Sequence, residues 1–507
     1  MSGTPSGTRR RGTAVLRVAD MYRADAAAVA AGVPSLALME NAAAAIVREV
    51  RRRWSPRPTL VLCGPGNNGG DGFGVAIGLA AARWPVTAAL LGERARLSGD
   101  AAVMAGRWPG PVTPFDPALI EGASLVVDAV FGAGLARPVD GRARAVLEAL
   151  AARGCEVVAV DVPSGVHGDT GAVMGAAAPA RLTVTFFRPK PGHLLLPGRA
   201  LCGELVVADI GIPDAALDDI APPLAVNGPR LWGARLPRPA AGGHKYDRGH
   251  AVVAGGATTT GAARLAARAA LGVGAGLVTV AAPAAAFAIY AGALTSVMVT
   301  AIASEGDFDA VLADRRKNAL LIGPGHGVGE ATRARVLATL AAGKRCVLDA
   351  DALTVFADDR EALAAAIARA EVPVVLTPHD GEYARLFGFE GDRLQRALAA
   401  AEASGAVVAL KGPDTVVAAP DGRAAITADA PPELASAGTG DVLAGLIVGL
   451  LAQGADGFDA ACMGTWLLGA LGRAAGPGLV SERLVDHLPG VLAAVRREAG
   501  ASAPGDG

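Results

Sequence analysis

A glycine-rich turn, Gly64–Gly72, follows a short apolar run that ends at Cys63 and precedes a stretch of helical length. Glycines let a ligand approach the backbone closely, and a helix N-terminus offers free amides, so this turn predicts an anion-binding site. The spacing of Gly64, Gly66 and Gly69 also fits the G-x-G-x-x-G pattern of dinucleotide-binding folds. A plain Rossmann dehydrogenase is therefore one interpretation, which the spaced glycines alone support only weakly.

Oxygen-bearing side chains crowd this turn and two later loops. Asn67, Asn68 and Asp71 stand in the turn itself; a pyrophosphate does not need them, whereas a hard cation or a polar substrate would use them. Asp128 and Ser164 follow two further apolar runs, and ligands of parallel sheets bind outside the carboxyl ends of the strands. We therefore expect Asn68, Asp128 and Ser164 to converge on a cation. Taken singly, each acid is more commonly an Asx turn or a helix cap.

A second motif, Ala437–Gly445, leads from a small-residue loop into an apolar helix. Amides next to Gly438 and Gly440 could cradle a phosphate, and Asp441 places a carboxylate in the first helical turn. Amides beside a base suit phosphoryl transfer. The alternative is an ordinary capped helix, since Thr439 and Asp441 both suit helix starts, although two glycines there would be costly without a ligand.

Apolar runs separated by Ala-rich segments of helical length position these residues. Runs that are apolar on both faces are typical of buried parallel strands. In the first half they are Thr59–Cys63, Leu125–Val130, Glu156–Asp161 and Leu205–Ile210. In the second half they are Ala251–Gly255, Leu277–Ala281, Leu320–Gly323, Cys346–Asp349, Val374–Thr377 and Val407–Leu410, followed by a hairpin over Thr415–Thr427. The pattern predicts an α/β protein, with a Rossmann-like parallel sheet domain before a second α/β domain.

Composition limits the class of protein. A length of 507 residues exceeds what one core usually serves, and six prolines between Ile212 and Gly243 indicate a linker. A net charge of −1 offers no global field for nucleic acid or an anionic membrane. The five cysteines form no CxxC pair, which argues against zinc sites and disulfides and favours the cytoplasm. The apolar stretch Val442–Leu451 falls short of the roughly 20 residues that span a membrane, so we expect a buried helix.

The first half resembles the NAD(P)H-hydrate epimerase domain. The segments that carry the resemblance are Leu38–Ala43, Gly64–Gly72, Asp128–Gly134, Asp161–Gly165 and Asp209–Pro213. It implies an epimerase domain over residues 14–225, with potassium held by Asn68, Asp128 and Ser164. It also implies contacts to the hydrated dinucleotide from Asn67, Asn68, Gly69, Gly70, Asp71, Gly132, Ala133, Gly134, Leu135, Ala136, Arg137, Pro138 and Asp161.

Epimerisation needs a positioned proton-transfer group, whether the ring opens or hydroxide leaves and returns. Asp161 is our candidate catalytic residue, because the resemblance places it near the reacting centre. Lys190 is the only lysine before residue 245. It could contact a phosphate or be a solvated loop lysine.

The second half resembles the ADP-dependent NAD(P)H-hydrate dehydratase domain, a member of the ribokinase-like group. The resemblance rests on the Ala437–Gly445 motif and on strand-end segments at Gly255–Ala262, Gly323–Gly325, Leu348–Leu353, Thr377–Glu382 and Lys411–Thr415. It implies a ribokinase-like dehydratase domain over residues 226–500, with the hydrate facing Ala262, Gly325, His379 and Asp441. The adenine nucleotide would be held by Lys411, Gly412, Pro413, Asp414, Thr415 and Gly440. Ala257–Thr260 departs from the pattern, because it lacks a serine and an aromatic residue before Gly261.

Together these resemblances imply a bifunctional repair enzyme. It would epimerise (R)- and (S)-NAD(P)H hydrate and dehydrate the S form with ADP, giving AMP and phosphate, with Asp441 as the catalytic base. We expect K⁺, Mg²⁺ and ADP as cofactors and a cytoplasmic homo-oligomer that binds neither nucleic acid nor membrane. The alternatives are a ribokinase-like small-molecule kinase with a dinucleotide-binding regulatory module, which would release a stable phosphorylated product, and a non-catalytic scaffold.

Overall fold

The computed structural model describes residues 12–501 and divides the chain into two compact units. One runs from Ala14 to Pro222, and the other contains residues 223–501 together with Gly12 and Thr13. The predicted boundary between residues 225 and 226 lies inside a strand of the second unit, Leu224–Val226. We describe each unit by itself.

The first unit contains a seven-stranded sheet in the order β3-β2-β1-β4-β5-β6-β7, and every neighbouring pair is parallel. The strands are β1 Thr59–Cys63, β2 Val86–Leu90, β3 Val112–Pro114, β4 Leu125–Ala129, β5 Glu156–Val160, β6 Leu182–Phe186 and β7 Glu204–Ala208. The order reverses between β1 and β4, which is where doubly wound sheets bind ligands. The predicted Rossmann-like parallel sheet is confirmed.

Helices cover both faces of this sheet. They are Val18–Ala30, Ser35–Arg53, Asn67–Ala81, Gly99–Arg107, Gly141–Arg153, Gly198–Cys202 and Ala216–Ile220. The glycine-rich turn forms the first turn of Asn67–Ala81, which packs against Ser35–Arg53 and Gly99–Arg107. Gly74 permits this approach, because a Cβ there would lie 2.5 Å from the Cβ of Ala43. This packing fixes where the turn presents Asn67 and Asn68.

The second unit contains a ten-stranded sheet in the order β11-β10-β9-β12-β13-β14-β15-β16-β17-β8. Its strands are β8 Leu224–Val226, β9 His250–Ala254, β10 Leu277–Pro283, β11 Met298–Ile302, β12 Ala319–Ile322, β13 Arg345–Leu348, β14 Val374–Leu376, β15 Val407–Leu410, β16 Thr415–Ala418 and β17 Ala424–Thr427. The β15–β16 and β16–β17 pairs are antiparallel and the others parallel, so the predicted second α/β domain and its hairpin are confirmed.

The α-helices of this unit are Pro229–Trp232, Thr260–Gly272, Phe287–Ala293, Glu305–Ala313, Glu330–Ala341, Asp351–Thr354, Arg360–Ala370, Asp380–Leu386, Arg393–Ser404, Thr439–Ala452, Gly457–Ala475, Ser481–Leu484 and Leu488–Ala501. Thr439–Ala452 lies against Thr260–Gly272 and is almost wholly buried, so the predicted buried helix is confirmed. Within residues 12–501, no single helix is long and apolar enough to cross a membrane, although the bent pair Val18–Ala30 and Ser35–Arg53 together meets that test of length and composition.

The region predicted as an irregular linker, Ile212–Gly243, contains regular structure, which corrects that interpretation. β8 lies within it and pairs with β17 at the edge of the second sheet. The ring of Trp232 is fully buried, and its Nε1 donates a hydrogen bond of 3.0 Å to Asn227. The prolines bound short elements here because proline cannot continue a helix or a hydrogen-bonded strand.

Candidate functional sites

A cavity of about 590 Å³ opens in the first unit beyond the ends of β1, β4 and β5. Its lining residues are Val18, Met21, Tyr22, Asp25, Pro65, Gly66, Asn67, Asn68, Asp71, Val130, Phe131, Gly132, Ala133, Gly134, Leu135, Ala136, Arg137, Asp161, Phe186, Lys190 and Ile210. Three predicted substrate contacts are not among them. Gly69 and Gly70 face the protein, where a Cβ would collide with Gly64 and with Met39, and Pro138 lies beyond the lining.

Asp161 stands at the end of β5 in a left-handed conformation, with φ +67°. Its Oδ1 accepts hydrogen bonds from Lys190 Nζ at 2.7 Å and Thr185 Oγ1 at 2.9 Å, and its Oδ2 accepts one from Ala133 N at 2.9 Å. Lys190 is only 2% exposed, so the solvated-loop alternative for this lysine is wrong. It forms a buried ion pair with Asp161 inside the cavity.

This ion pair sets the protonation states around it. Burial alone would raise the pKa of Asp161, but Lys190, His193 and the Ala133 amide together lower it to about 2. Burial and the Lys190 charge lower the pKa of His193 to about 4. The neutral His193 ring donates from Nε2 to the Asp161 carbonyl at 2.7 Å and accepts the Lys190 amide at Nδ1. Sequence reasoning missed His193, because only the folded loop brings it to Asp161.

The predicted cation ligands Asp128 and Ser164 lie together. Asp128 is 0% exposed, and its Oδ2 and Oδ1 accept Ser164 N at 2.8 Å and Ser164 Oγ at 2.5 Å. Burial raises the pKa of Asp128 against these hydrogen bonds, and within residues 12–501 no Lys or Arg forms an ion pair with it. The third predicted ligand, Asn68, places Oδ1 beside Gly132, while its buried Nδ2 has no hydrogen-bond partner among the described residues.

Two carboxyl groups besides Asp161 line this cavity. Asp71 is 9% exposed, and burial followed by the charges of Asp161 and Asp25 raises its pKa well above the usual range. Asp25 comes from the helix Val18–Ala30, one turn after Tyr22. Sequence reasoning missed Asp25 and Tyr22, since this helix precedes the sheet and carries no glycine motif.

A second cavity, of about 490 Å³, lies in the other unit. It is mostly apolar, and its lining residues are His379, Lys411, Gly412, Pro413, Thr415, Thr427, Ala430, Pro431, Pro432, Leu434, Ala435, Ser436, Thr439, Gly440, Leu443, Thr465 and Leu468. Five of the six predicted nucleotide contacts line it. The sixth, Asp414, is buried outside the lining and pairs with Arg393 at 2.9 Å.

The helix that carries Asp441 starts at this cavity. Gly438 precedes it with φ +87°, and a Cβ there would lie 2.7 Å from Leu265, so conformation and packing already require a glycine. Gly438 is therefore needed by the fold itself, and its presence is not evidence for a bound ligand. Gly440 differs, because it lines the cavity and a Cβ there would face Lys411 Nζ at 3.7 Å.

Asp441 does not cap this helix, because the N-cap position is Gly438. Among the described residues, no backbone or side-chain group donates a hydrogen bond to the Asp441 carboxylate. Burial and the charge of Asp349 raise the pKa of Asp441 to about 6, against the opposing effect of Lys411. Lys411 Nζ lies 2.6 Å from Asp349 Oδ1 and 3.7 Å from Glu382 Oε2. Burial would lower the pKa of Lys411, but these acids raise it. One ammonium therefore faces three carboxyls.

Of the other predicted substrate contacts, His379 lies at the second cavity, whereas Gly325 and Ala262 lie near Thr259. His379 lines the cavity and also caps the helix Asp380–Leu386, because its Nδ1 accepts Gly381 N at 2.9 Å. Gly325 lies outside the lining with φ +67°, packed against Thr259 just before the helix that contains Ala262. Within residues 12–501, no group of three or more His, Cys, Asp or Glu side chains is arranged to hold a metal ion.

Comparison with known proteins agrees with the division of the chain into two units. A family model described as NAD(P)H-hydrate dehydratase matches residues 250–484, and one described as YjeF-related protein N-terminus matches residues 35–192. A protein of Thermofilum pendens called bifunctional NAD(P)H-hydrate repair enzyme Nnr is 38% identical over 520 residues, covering 96% of this chain and 97% of its own. A protein of the same name from Moorella thermoacetica is 38% identical over 92% of this chain and 94% of its own.

Among solved structures, the chain is similar to an ADP/ATP-dependent NAD(P)H-hydrate dehydratase of Bacillus subtilis co-crystallised with ATP and Mg²⁺. The identity is 28% and the TM-score 0.46, and the match covers 53% of this chain and 98% of that one.

Proposed function

The chain belongs to the family of bifunctional NAD(P)H-hydrate repair enzymes, and on this premise we propose how its two sites divide the work. The first unit epimerises (R)- and (S)-NAD(P)H hydrate. The second unit dehydrates the S form to NAD(P)H at the expense of ADP, giving AMP and phosphate. The observation that carries the division is that each unit contains its own cavity, one rich in carboxyls and one apolar beside an unpartnered aspartate.

For epimerisation, we propose that the hydrate ring occupies the cavity beside Asp161 and that Gly132–Arg137 contact the rest of the dinucleotide. A monovalent cation such as potassium fits Asp128 and Ser164, since a buried carboxylate without a Lys or Arg partner calls for a positive charge. Turning over the Asn68 amide would set its carbonyl oxygen where the unpartnered Nδ2 now lies, as a cation ligand requires. Bound there, the ion would neutralise Asp128 and hold the loops after β4 and β5.

For dehydration, a kinase-type site performs a net elimination. Hydroxide is a poor leaving group, so the terminal phosphoryl group of ADP is transferred to the ring hydroxyl, which releases AMP. Asp441 accepts the hydroxyl proton as the new O–P bond forms. The C–O bond then breaks, phosphate leaves with the bonding electrons, and loss of a ring proton restores the double bond of NAD(P)H.

The nucleotide is proposed to lie along Lys411–Thr415 and Gly440, with its base among the prolines and leucines of the cavity. Lys411 is held by Asp349 and turned toward Gly440, where a phosphate oxygen would lie within reach of its ammonium. The acids Asp349, Glu382 and Asp441 outnumber this lysine, so the site keeps a negative charge that a magnesium ion arriving on the nucleotide's phosphates would offset. The ion would supply charge neutralisation for the transferred group.

Incubation with the mixed hydrate diastereomers tests this function directly. With ADP or ATP, reduced cofactor measured by its absorbance should reappear until both diastereomers are consumed. Without nucleotide, the diastereomers should interconvert faster than they do spontaneously, with no reduced cofactor formed. A stable phosphorylated product would instead favour the small-molecule kinase, and binding without turnover would favour the non-catalytic scaffold.

We also propose that the protein works in the reducing cytoplasm, because all five cysteines are free. We further propose that it is a homo-oligomer, which light scattering would test.

A further inference from the structure

Asp25 is a carboxyl group of the first cavity to which the proposed epimerisation assigns no role. Asp25 lies on the helix Val18–Ala30, which forms a wall of the cavity together with Tyr22 from the preceding turn. Within residues 12–501, no group donates a hydrogen bond to its carboxylate, and its side chain is half-buried. A polar group that is partly removed from water without a partner is held ready for a ligand.

Asp161, by contrast, is poorly suited to move a proton. Its two oxygens already accept hydrogen bonds from Lys190, Thr185 and Ala133. Taking up a proton would break the ion pair with Lys190, and the lowered pKa of Asp161 reflects that cost. Its carboxylate is therefore a fixed negative charge in the cavity.

The other charged groups around Asp25 define what it can do. Asp161 and Lys190 act on it from the loops after β5 and β6, Asp71 lines the cavity from the glycine-rich helix, and Arg137 is exposed. Burial raises the pKa of Asp25 to about 6, Lys190 lowers it and Asp161 raises it. Asp71 is more deeply buried and its pKa is raised well above the usual range, so Asp25 is the carboxyl of the two that can both give and take a proton near neutral pH.

We propose that Asp25 is the acid–base catalyst of the epimerisation, an assignment that rests on the proposed epimerase function. The protonated Asp25 carboxyl donates to the ring hydroxyl, the C–O bond breaks, and water leaves with the bonding electrons. The ring nitrogen lone pair stabilises the resulting cation, and the fixed charge of Asp161 lies nearby. Water then adds to the opposite face, and its excess proton passes through solvent water in the open cavity to the Asp25 carboxylate, so the enzyme is unchanged. Once Asp25 has given up its proton, the carboxylates of Asp25 and Asp161 outnumber the one buried ammonium, which suits a site in which positive charge develops.

The test measures interconversion of the hydrate diastereomers by the full-length protein without nucleotide, separated by chromatography and corrected for the spontaneous rate. Asp25→Asn should lower kcat by about 10²–10⁴-fold and leave KM within about threefold. The wild-type rate should fall as pH rises through about 6, because the first step needs the protonated acid, and the variant should lose this dependence. Asp20→Asn is the matched control, since Asp20 lies on the same helix and pairs with Arg23 outside the cavity lining.

Asp25→Ala with added formate separates proton transfer from a structural role, because a small carboxylic acid can replace a missing proton carrier but not a missing packing contact. Rescue of its rate would support the assignment even if Asp25→Asn proved unstable. Full activity in Asp25→Asn, or a loss that formate does not restore in a folded Asp25→Ala protein, would overturn the assignment alone. A wild-type protein that does not interconvert the diastereomers would overturn the epimerase function itself.

Discussion

Asp161 and Asp441 are the aspartates that sequence reasoning selected for catalysis, one in each unit, and their surroundings differ completely. Asp161 is locked by three hydrogen bonds, one of which is also its ion pair with Lys190, and its pKa is lowered to about 2. Asp441 has neither a hydrogen bond nor an ion pair among the described residues, and burial raises its pKa to about 6. The same side chain is thus a permanent charge in one cavity and, in the mechanism that we propose, a proton acceptor in the other unit. The partners decide which role it has.

The largest expected effect is the loss of dehydratase activity when the carboxylate of Asp441 is removed. Asp441→Asn keeps the shape of the side chain but removes the proton acceptor, so dehydration should fall by about 10²–10⁴-fold. Adenine-nucleotide binding and epimerisation should stay near wild type, as measured by nucleotide titration and by diastereomer exchange. Asp358→Asn, an exposed position in the same unit, is the control. Full dehydratase turnover in Asp441→Asn would return Asp441 to a purely structural role at the helix start.

The locked carboxylate should respond in stability as well as in rate. Lys190→Met removes one member of a buried ion pair and leaves Asp161 uncompensated, which should lower the free energy of unfolding by about 3–5 kcal/mol. Chemical denaturation of the full chain measures this. The double substitution Asp161→Asn with Lys190→Met should recover much of the loss, because no isolated charge remains. A loss below about 1 kcal/mol in the single variant would mean that the pair is not a structural unit.

Much of the fold could be predicted from local sequence. β1 and β15 match their apolar runs residue for residue, because strands buried on both faces are marked by their own composition. β8 was missed. Leu224–Val226 stands among prolines, and its partner β17 comes about 200 residues later, so nothing local marks it as a strand. The stretch Ile212–Gly243 does contain the boundary between the two units, at Pro222 and Pro223, but the expectation that it has no regular structure was wrong for this reason.

The site residues likewise fall into those that local sequence patterns marked and those that only the fold brings to the site. Turns with glycine and acid patterns marked Asn67, Asp128, Asp161 and Gly440, because close backbone approach leaves a local signature. Whether Lys190 is buried or solvated depends on the loop that folds over it, and sequence alone left both alternatives open. Asp25 could not be found from sequence, because a helical aspartate acquires its role only when the helix forms the cavity wall.

A smaller effect on the rate of epimerisation is expected from the proposed potassium site. There the charge of Asp128 would be balanced by a bound ion, whereas that of Asp161 is balanced by Lys190. Replacing potassium with tetramethylammonium should slow epimerisation about 10–100-fold, and Asp128→Asn should abolish the response. A thermal shift induced by potassium in the wild type, and absent in the variant, gives a readout independent of activity. Dehydration by the second site should not depend on Asp128. A wild-type epimerase indifferent to potassium would remove this ion from the first site.

The smallest effect should come from pH alone. Dehydration needs Asp441 ionised, so its kcat should fall as pH drops through about 6 and be about tenfold lower at pH 5 than at pH 8. Asp161 stays ionised over this range because its pKa is about 2, so acidification should not lower epimerisation through it. The terminal phosphate of the nucleotide also titrates near 6, so the measurement uses saturating ADP and the variant Asp441→Glu. A carboxylate of different reach should shift the inflection, whereas the nucleotide's own titration would stay in place. An inflection identical in both proteins would assign the pH dependence to ADP and leave Asp441 without its distinguishing property.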